Sequence, residues 1–168
     1  ADYTVIMVVG VDKSNNIYVL DFFRGQVTPM DGADKIFELA DEYFPKCINI
    51  EETGHVMLAD YILRTSKESG RFLNINPKKA IKTKYYRIKQ MQPLFASKAM
   101  FLKEEHYELE QELLAFTENG KHKKDTLDAL RWATDDIWVP EGDMTDGEYF
   151  EPPTIIGSDW ETGEIYYA

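Results

Sequence analysis

Two runs of β-branched and aromatic residues, "YTVIMVVG" (Tyr3 to Gly10) and "IYVLDFF" (Ile17 to Phe23), are separated only by "VDKSNN". Asp, Ser and two Asn between such runs are turn chemistry, so the chain is committed at its start to an antiparallel hairpin. Beyond the hairpin, helical and strand patterns alternate. "GADKIFELADEYF" places Ile36, Phe37, Leu39, Ala40 and Tyr43 at helical spacing and stops at Pro45. "KCINIE" (Lys46 to Glu51) is a short buried strand ending in an acid, and "HVMLADYILRTSKESG" is a second amphipathic helix, Met57, Leu58, Tyr61 and Ile62 inward, closed by Gly70. "FLNI" and "KAMFL" read as strands, "HYELEQELLAF" as a helix, and "DTLDALRWATDDIW" as a last helix ended by Pro140. A hairpin with strand–helix alternation after it predicts one mixed sheet with helices on its faces, an α/β layer fold.

The 168 residues suffice for one domain with a real core. No run of 18 apolar residues exists, which excludes a helical membrane span. No signal-peptide pattern follows Ala1, and a chain that opens inside a strand-like run reads as a piece of something longer. The single cysteine, Cys47, rules out an internal disulfide, fits a reducing compartment and reads as packing.

The net charge of −11 argues against a nucleic-acid partner only until its distribution is considered. Residues 135–168 hold ten acids and no lysine or arginine, so the rest of the chain is nearly balanced. Residues 139–168 read as an acidic tail or linker in which "WETGEIYYA" adds a hairpin. Within the body, Lys78, Lys79, Lys82, Lys84, Arg87 and Lys89 put six bases into twelve residues with no acid among them. Such a stripe is either a solvated helix face or a track for a phosphate backbone.

Acids with chemical potential stand at four places. Glu51 ends its strand, where ligand sites gather in α/β sheets, and a strand of Ile and Cys gains nothing from a carboxylate. Glu52 beside it reads as a solvated loop acid. Asp125 and Asp128 open the last helix three residues apart and share a face. Asp2 precedes the first strand. Asp125 also reads as an N-cap, "DTLD" as a capping box with Asp in place of Glu, and Asp128 as a first-turn acid favoured by the helix dipole. If these acids converge, they form a site for hard divalent cations, two of which, roughly 3.5–4 Å apart, activate water and stabilise a leaving phosphodiester oxygen. His122, Lys123 and Lys124 lie where phosphate would meet such a cluster. His122 has the chemistry of a metal ligand, a proton shuttle or a phosphate contact, although a loop histidine is commonly none of these. His55 and His106 show no partner in sequence. There is no glycine-rich phosphate loop, CxxC pair, GxSxG or dinucleotide fingerprint.

In order, these segments resemble the C-terminal nuclease domain of the large terminase subunit of tailed bacteriophages, a ribonuclease H-like fold. The likeness rests on "ADYTVIMVVGVD…NNIYVLDFFRG", "INIEETGHVMLADYIL", Lys84 and Arg87 before "QPLF", and "KKDTLDALRWA", and covers residues 1–138. It implies a ribonuclease H-like mixed β-sheet flanked by α-helices on both faces, and a metal-dependent endonuclease cutting double-stranded DNA during genome packaging, with two Mg²⁺ or Mn²⁺ ions. Glu51, Asp125 and Asp128 would be catalytic metal ligands, Asp2 an auxiliary ligand, His122 a neighbour of the metals, and Lys84 and Arg87 contacts to the DNA backbone. The resemblance further implies the portal protein and the terminase small subunit as partners and the host cytoplasm as location, while the acidic solvated tail suggests a monomer in isolation. The family's first metal-binding Asp lies on a strand upstream of the segment matching Asp2. Either that strand is absent here, or Asp2 or Asp12 substitutes, Asp12 less well because its turn sits at the far end of the strand. A Holliday-junction-resolvase-like or transposase-like nuclease of the same fold, and a non-catalytic interaction domain, are the rival readings.

Overall fold

A computed structural model describes residues 3–52, 56–117, 120 and 124–137, together with the strands at 155–158 and 165–167. The opening hairpin forms from β1 (Thr4–Val11) and β2 (Ile17–Gly25), antiparallel, with a bulge between Val8 and Val9. Asp12 staples its turn. Its carboxylate accepts from the Ser14 and Asn16 amides at 2.9 Å each and from the Tyr18 hydroxyl at 2.9 Å. These partners all belong to the hairpin, which makes Asp12 an Asx-type structural residue.

Helix α1 (Pro29–Tyr43) starts at a capping box: Thr28 Oγ1 accepts from the Asp31 amide and the Asp31 carboxylate accepts from the Thr28 amide. It ends at Phe44 in the left-handed region, one residue before the Pro45 that cannot continue it. β3 (Ile48–Glu51), α2 (Val56–Ser69) and β4 (Ile75–Lys78) come next, with Gly70 at φ +69° closing α2. The strand expected at Phe72–Ile75 lies three residues later. Register decides this, since β4 pairs parallel to β3 with Ile48 opposite Ile75 and Glu51 opposite Lys78. Pro77, which has no amide to donate, is tolerated because β4 is an edge strand.

Short helices α3 (Lys84–Lys89) and α4 (Gln92–Ala96) lead to β5 (Met100–Lys103), α5 (Tyr107–Leu114) and α6 (Asp125–Ala133). The last helix ends seven residues before Pro140, so the proline is not what stops it. Strands β6 (Ile155–Ser158) and β7 (Ile165–Tyr167), inside the acidic tail, make an antiparallel hairpin whose β6 pairs with β5.

The described strands make a five-stranded mixed sheet, β1-β2-β5-β6-β7, and a two-stranded parallel one, β3-β4. Helices cover both faces. One core joins Ile17, Val19, Met100 and Leu102 of the large sheet to Ile88, Phe95, Leu109, Leu127 and Leu130, with Met7, Val9 and Val11 against it. The other joins Ile50 to Ala33, Ile36, Phe37, Leu58 and Ile62 of α1 and α2, and takes Ile6 from the opposite face of β1. The period-2 switch between Ile6 and Met7 is the alternation of a strand buried on both faces. Helix α6 packs against both β1 and β3.

His106, silent in the sequence, is buried at 6% exposure with its ring edge-on to Phe22 at 5.3 Å. Its Nδ1 has no hydrogen-bond partner among the described residues. Burial, then the nearby Lys103 charge, hold its pKa below that of a free imidazole. The unfolded chain therefore takes up a proton that the folded chain refuses, and stability falls as pH drops from about 6.5 towards the folded pKa. Urea midpoints at pH 7.5 and 5.5 should show this loss in the parent protein and a smaller one in His106→Phe. An equal loss in both would mean that other groups carry it.

Candidate metal and phosphodiester site

The last helix starts in a way the sequence does not suggest. Its N-cap is Lys124, which makes no side-chain cap bond, and Asp125 is the first helical residue. The orphan amides of its first turn are taken by a residue from another helix. Glu112 of α5 accepts from the Thr126 amide at 3.1 Å, the Leu127 amide at 3.2 Å and Thr126 Oγ1 at 2.7 Å, and pairs with Arg24 Nη1 at 3.2 Å. The capping reading of "DTLD" is therefore corrected: Glu112 does that work and frees both aspartates. Glu112→Ala should cost roughly 2–4 kcal/mol, a lost cap plus buried donors left unsatisfied. Urea denaturation would read it, with Glu112→Gln recovering part. A cost below about 0.5 kcal/mol would mean that water replaces the carboxylate.

The freed carboxylates meet Glu51. Arg87 forks onto Asp128, Nε to Oδ1 at 3.0 Å and Nη2 to Oδ2 at 2.5 Å, while the same Nη2 lies 3.5 Å from Glu51 Oε1. Its Nη1 donates to the Lys82 carbonyl at 2.7 Å, and the guanidinium lies over the Trp132 ring at 5.2 Å. Lys84 Nζ sits 2.7 Å from Asp125 Oδ1 and 3.9 Å from Asp128 Oδ2. Two cationic nitrogens thus each stand between two carboxylates: Arg87 between Glu51 and Asp128, Lys84 between Asp125 and Asp128. Asp128 and Arg87 are buried at 4% and 8% exposure. The buried charges persist because each has a partner.

Three carboxylates against two cations leave one negative charge in excess, all on hard oxygen donors. That donor chemistry suits Mg²⁺ or Mn²⁺, and the partly exposed Lys84 between Asp125 and Asp128 is the cation that a divalent ion would displace from paired carboxylates. Among the described residues, however, no three His, Cys, Asp or Glu side chains gather as a ready ligand set. Asp2, His122 and Lys123 lie outside the described residues.

The basic stripe divides. Lys79, Lys82 and Lys89 are exposed, Lys79 with Glu52 at 3.5 Å and Lys89 over the Tyr85 ring at 5.8 Å. Lys84 is half-buried at the acids. Lys124 donates to the Thr117 carbonyl at 2.8 Å and lies over the Phe116 ring at 5.3 Å. The structure corrects the expectation for two of these bases. Arg87 is no surface phosphate contact: its fork is spent on Asp128 and its helix turn is packed inward. Lys78, whose Nζ lies 2.7 Å from Asp135 and also bonds Asp136, is held at the end of α6, and those bonds raise its pKa. Asn49 completes that clamp by donating to the Trp132 and Asp135 carbonyls at 2.7 and 3.1 Å. Glu112 and Asn49 carried no sequence signal, because their partners are 14 or more residues away.

Helices on both faces of a mixed sheet make an α/β domain, in which acids from a strand end and a late helix share the same two cations. A family model, the terminase RNaseH-like domain, matches residues 1–136, and the chain belongs to that family. Its membership makes it a nuclease-type domain of the phage packaging machinery. No curated protein and no solved structure matches it.

Proposed function

We propose that the domain is a metal-dependent endonuclease that cuts double-stranded DNA during phage genome packaging, at the cluster of Glu51, Asp125 and Asp128. The observation that carries this reading is the pairwise sharing of two cations among three carboxylates, which holds the acids together. Mg²⁺ or Mn²⁺, two ions in the full reading, would supply an activated water and an offset for the leaving oxygen's charge. Glu51, Asp125 and Asp128 would hold them, with Asp2 and His122 as further donors near the site. Lys84, displaced from Asp125, would meet a DNA phosphate. Arg87 stays with Asp128 and orients it.

Exposed Lys79, Lys82 and Lys89, with Lys123 and Lys124, supply phosphate contacts that position duplex without reading its sequence. The reading implies the portal and the small terminase subunit as protein partners, and the host cytoplasm as location. No helix among the described residues is long and apolar enough to cross a membrane.

One observation favours a rival. Each of the three acids is already paired with a lysine or arginine of the domain itself, as it would be in a domain that keeps the fold without catalysis. Cleavage of supercoiled plasmid in Mn²⁺, with a chelator control and a four-way junction as competing substrate, separates these. Nicking and linearisation that need Mn²⁺ are expected. Preferential cutting of the junction would instead point to a resolvase, and absent Mn²⁺ binding to a non-catalytic module.

A further inference from the structure

The acid cluster is flanked by aromatic rings that play no part at the carboxylates. Helix α3 turns Arg87 and Ile88 inward and leaves Tyr86 and Lys89 exposed, with Tyr85 half-buried. Tyr85, one residue beyond Lys84, stacks on Phe116 past the end of α5, with centroids 5.4 Å apart and planes within 14° of parallel. Tyr86 meets Tyr85 edge to face at 5.7 Å and 71°. Lys124, one residue before Asp125, lies 5.3 Å over Phe116 and 5.9 Å over Tyr85, and Lys89 lies 5.8 Å over Tyr85. A run of three rings with two ammonium groups over it therefore starts one residue from the acid site on both α3 and α6.

We propose that Tyr86, backed by Tyr85 and Phe116, is a stacking platform for an unpaired base of DNA, with Lys89 and Lys124 taking the phosphates beside it. Packing accounts for Tyr85 and Phe116, whose stack ties α3 to the end of α5. It does not account for Tyr86, which is 59% exposed and gives the fold little in return for an aromatic ring in water. The two lysines point the same way. Among the described residues Lys78, Lys79 and Lys84 pair with carboxylates, whereas Lys89 and Lys124 do not, so their charge is open to an anion.

The combination selects the ligand. A phosphate alone calls for the lysines and not for the rings, and paired duplex keeps the faces of its bases covered by their neighbours. An open ring beside unpaired cations matches a nucleotide whose base has left the stack, ring on ring and phosphate on ammonium. Every base has such a face, so the contact tolerates any sequence. Its position next to Lys84 and Asp125 makes the held base a near neighbour of the phosphodiester at the acids. DNA that is frayed, nicked or mismatched there costs least to unstack and is the form bound best. The platform takes DNA as its ligand from the nuclease reading, but stacking itself needs neither metal nor cleavage.

Fluorescence anisotropy in EDTA tests it, reading the binding of the 168-residue protein to a short oligothymidylate and to a blunt duplex of equal length. A 2-aminopurine at the centre of the single strand reports stacking, because an aromatic neighbour quenches its emission. The proposal expects quenching by the parent protein and about tenfold weaker single-strand binding by Tyr86→Leu. That variant should bind the blunt duplex within about twofold of the parent, and Tyr86→Trp should keep the single-strand affinity. Lys89→Gln should weaken both DNAs and lower the salt dependence by about one phosphate contact. Single-strand binding by Tyr86→Leu equal to the parent's, or equal losses on both DNAs, overturns the platform. So does binding by the parent without a change in 2-aminopurine emission, or no binding of either DNA. Quenching without Mn²⁺-dependent plasmid cleavage would leave the platform standing and remove the nuclease reading. Cleavage without quenching would do the reverse.

Discussion

Arg87→Ala should destabilise the domain by roughly 3–5 kcal/mol, the range for removing one partner of a buried ion pair. The reason is the remnant rather than the lost bonds. Asp128 stays 4% exposed with its forked partner gone, and Lys84 at 3.9 Å is too far to replace it. The Lys82 carbonyl and the Trp132 face lose their cation as well. For a chain of this length about 2–4 °C is lost per kcal/mol, so melting should drop by roughly 6–20 °C. Arg87→Lys should rescue little, because an ammonium cannot make the two-point contact to both Asp128 oxygens. Arg87→Met combined with Asp128→Leu should regain most of the stability, since no charge is then stranded. If the single alanine variant costs under about 1 kcal/mol, water reaches Asp128 and the pair is not buried in solution.

Asp125→Asn is expected to separate activity from stability. Its pair with Lys84 is partly exposed, with side chains at 32% and 42%, and pairs of that kind contribute about 0–1 kcal/mol. Melting should hardly move. Mn²⁺-dependent plasmid cleavage should fall on the order of a hundredfold to a thousandfold, the equivalent of several kcal/mol of metal-mediated stabilisation. Glu51→Gln, a quarter exposed and 3.5 Å from Arg87, should behave alike. Asp128→Asn should lose both, being at once a candidate ligand and the partner of a buried arginine. Unimpaired cleavage by Asp125→Asn would remove this aspartate from the reaction. Unimpaired cleavage by all three would move the chemistry elsewhere.

Much of the fold was legible because its signals are local. The turn residues between β1 and β2, the helical spacing of α1 and α2, and the punctuation at Pro45 and Gly70 act within a few residues of where they stand. Where a strand's position depends on its partner, pattern alone misplaced it, and β4 moved from Phe72–Ile75 to Ile75–Lys78 to keep register with β3. The acids were legible as candidates, since a carboxylate ending an apolar strand and a pair at helical spacing stand out in a string. Their surroundings were not. Arg87 and Lys78 look alike in a basic run, yet one faces inward to Asp128 and the other is clamped to the end of α6.

By itself, then, the sequence determined the element order, the two-faced burial of the sheet and the acids that merit attention, all through short-range periodicity and turn chemistry. Only the tertiary structure decided that Glu112 caps α6, that Arg87 and Lys84 hold the acids together, and that Asn49 clamps the end of α6. Those are pairings across tens of residues, and their physical cause is burial. A charge or a backbone group removed from water must find its partner in space, wherever the chain has brought one.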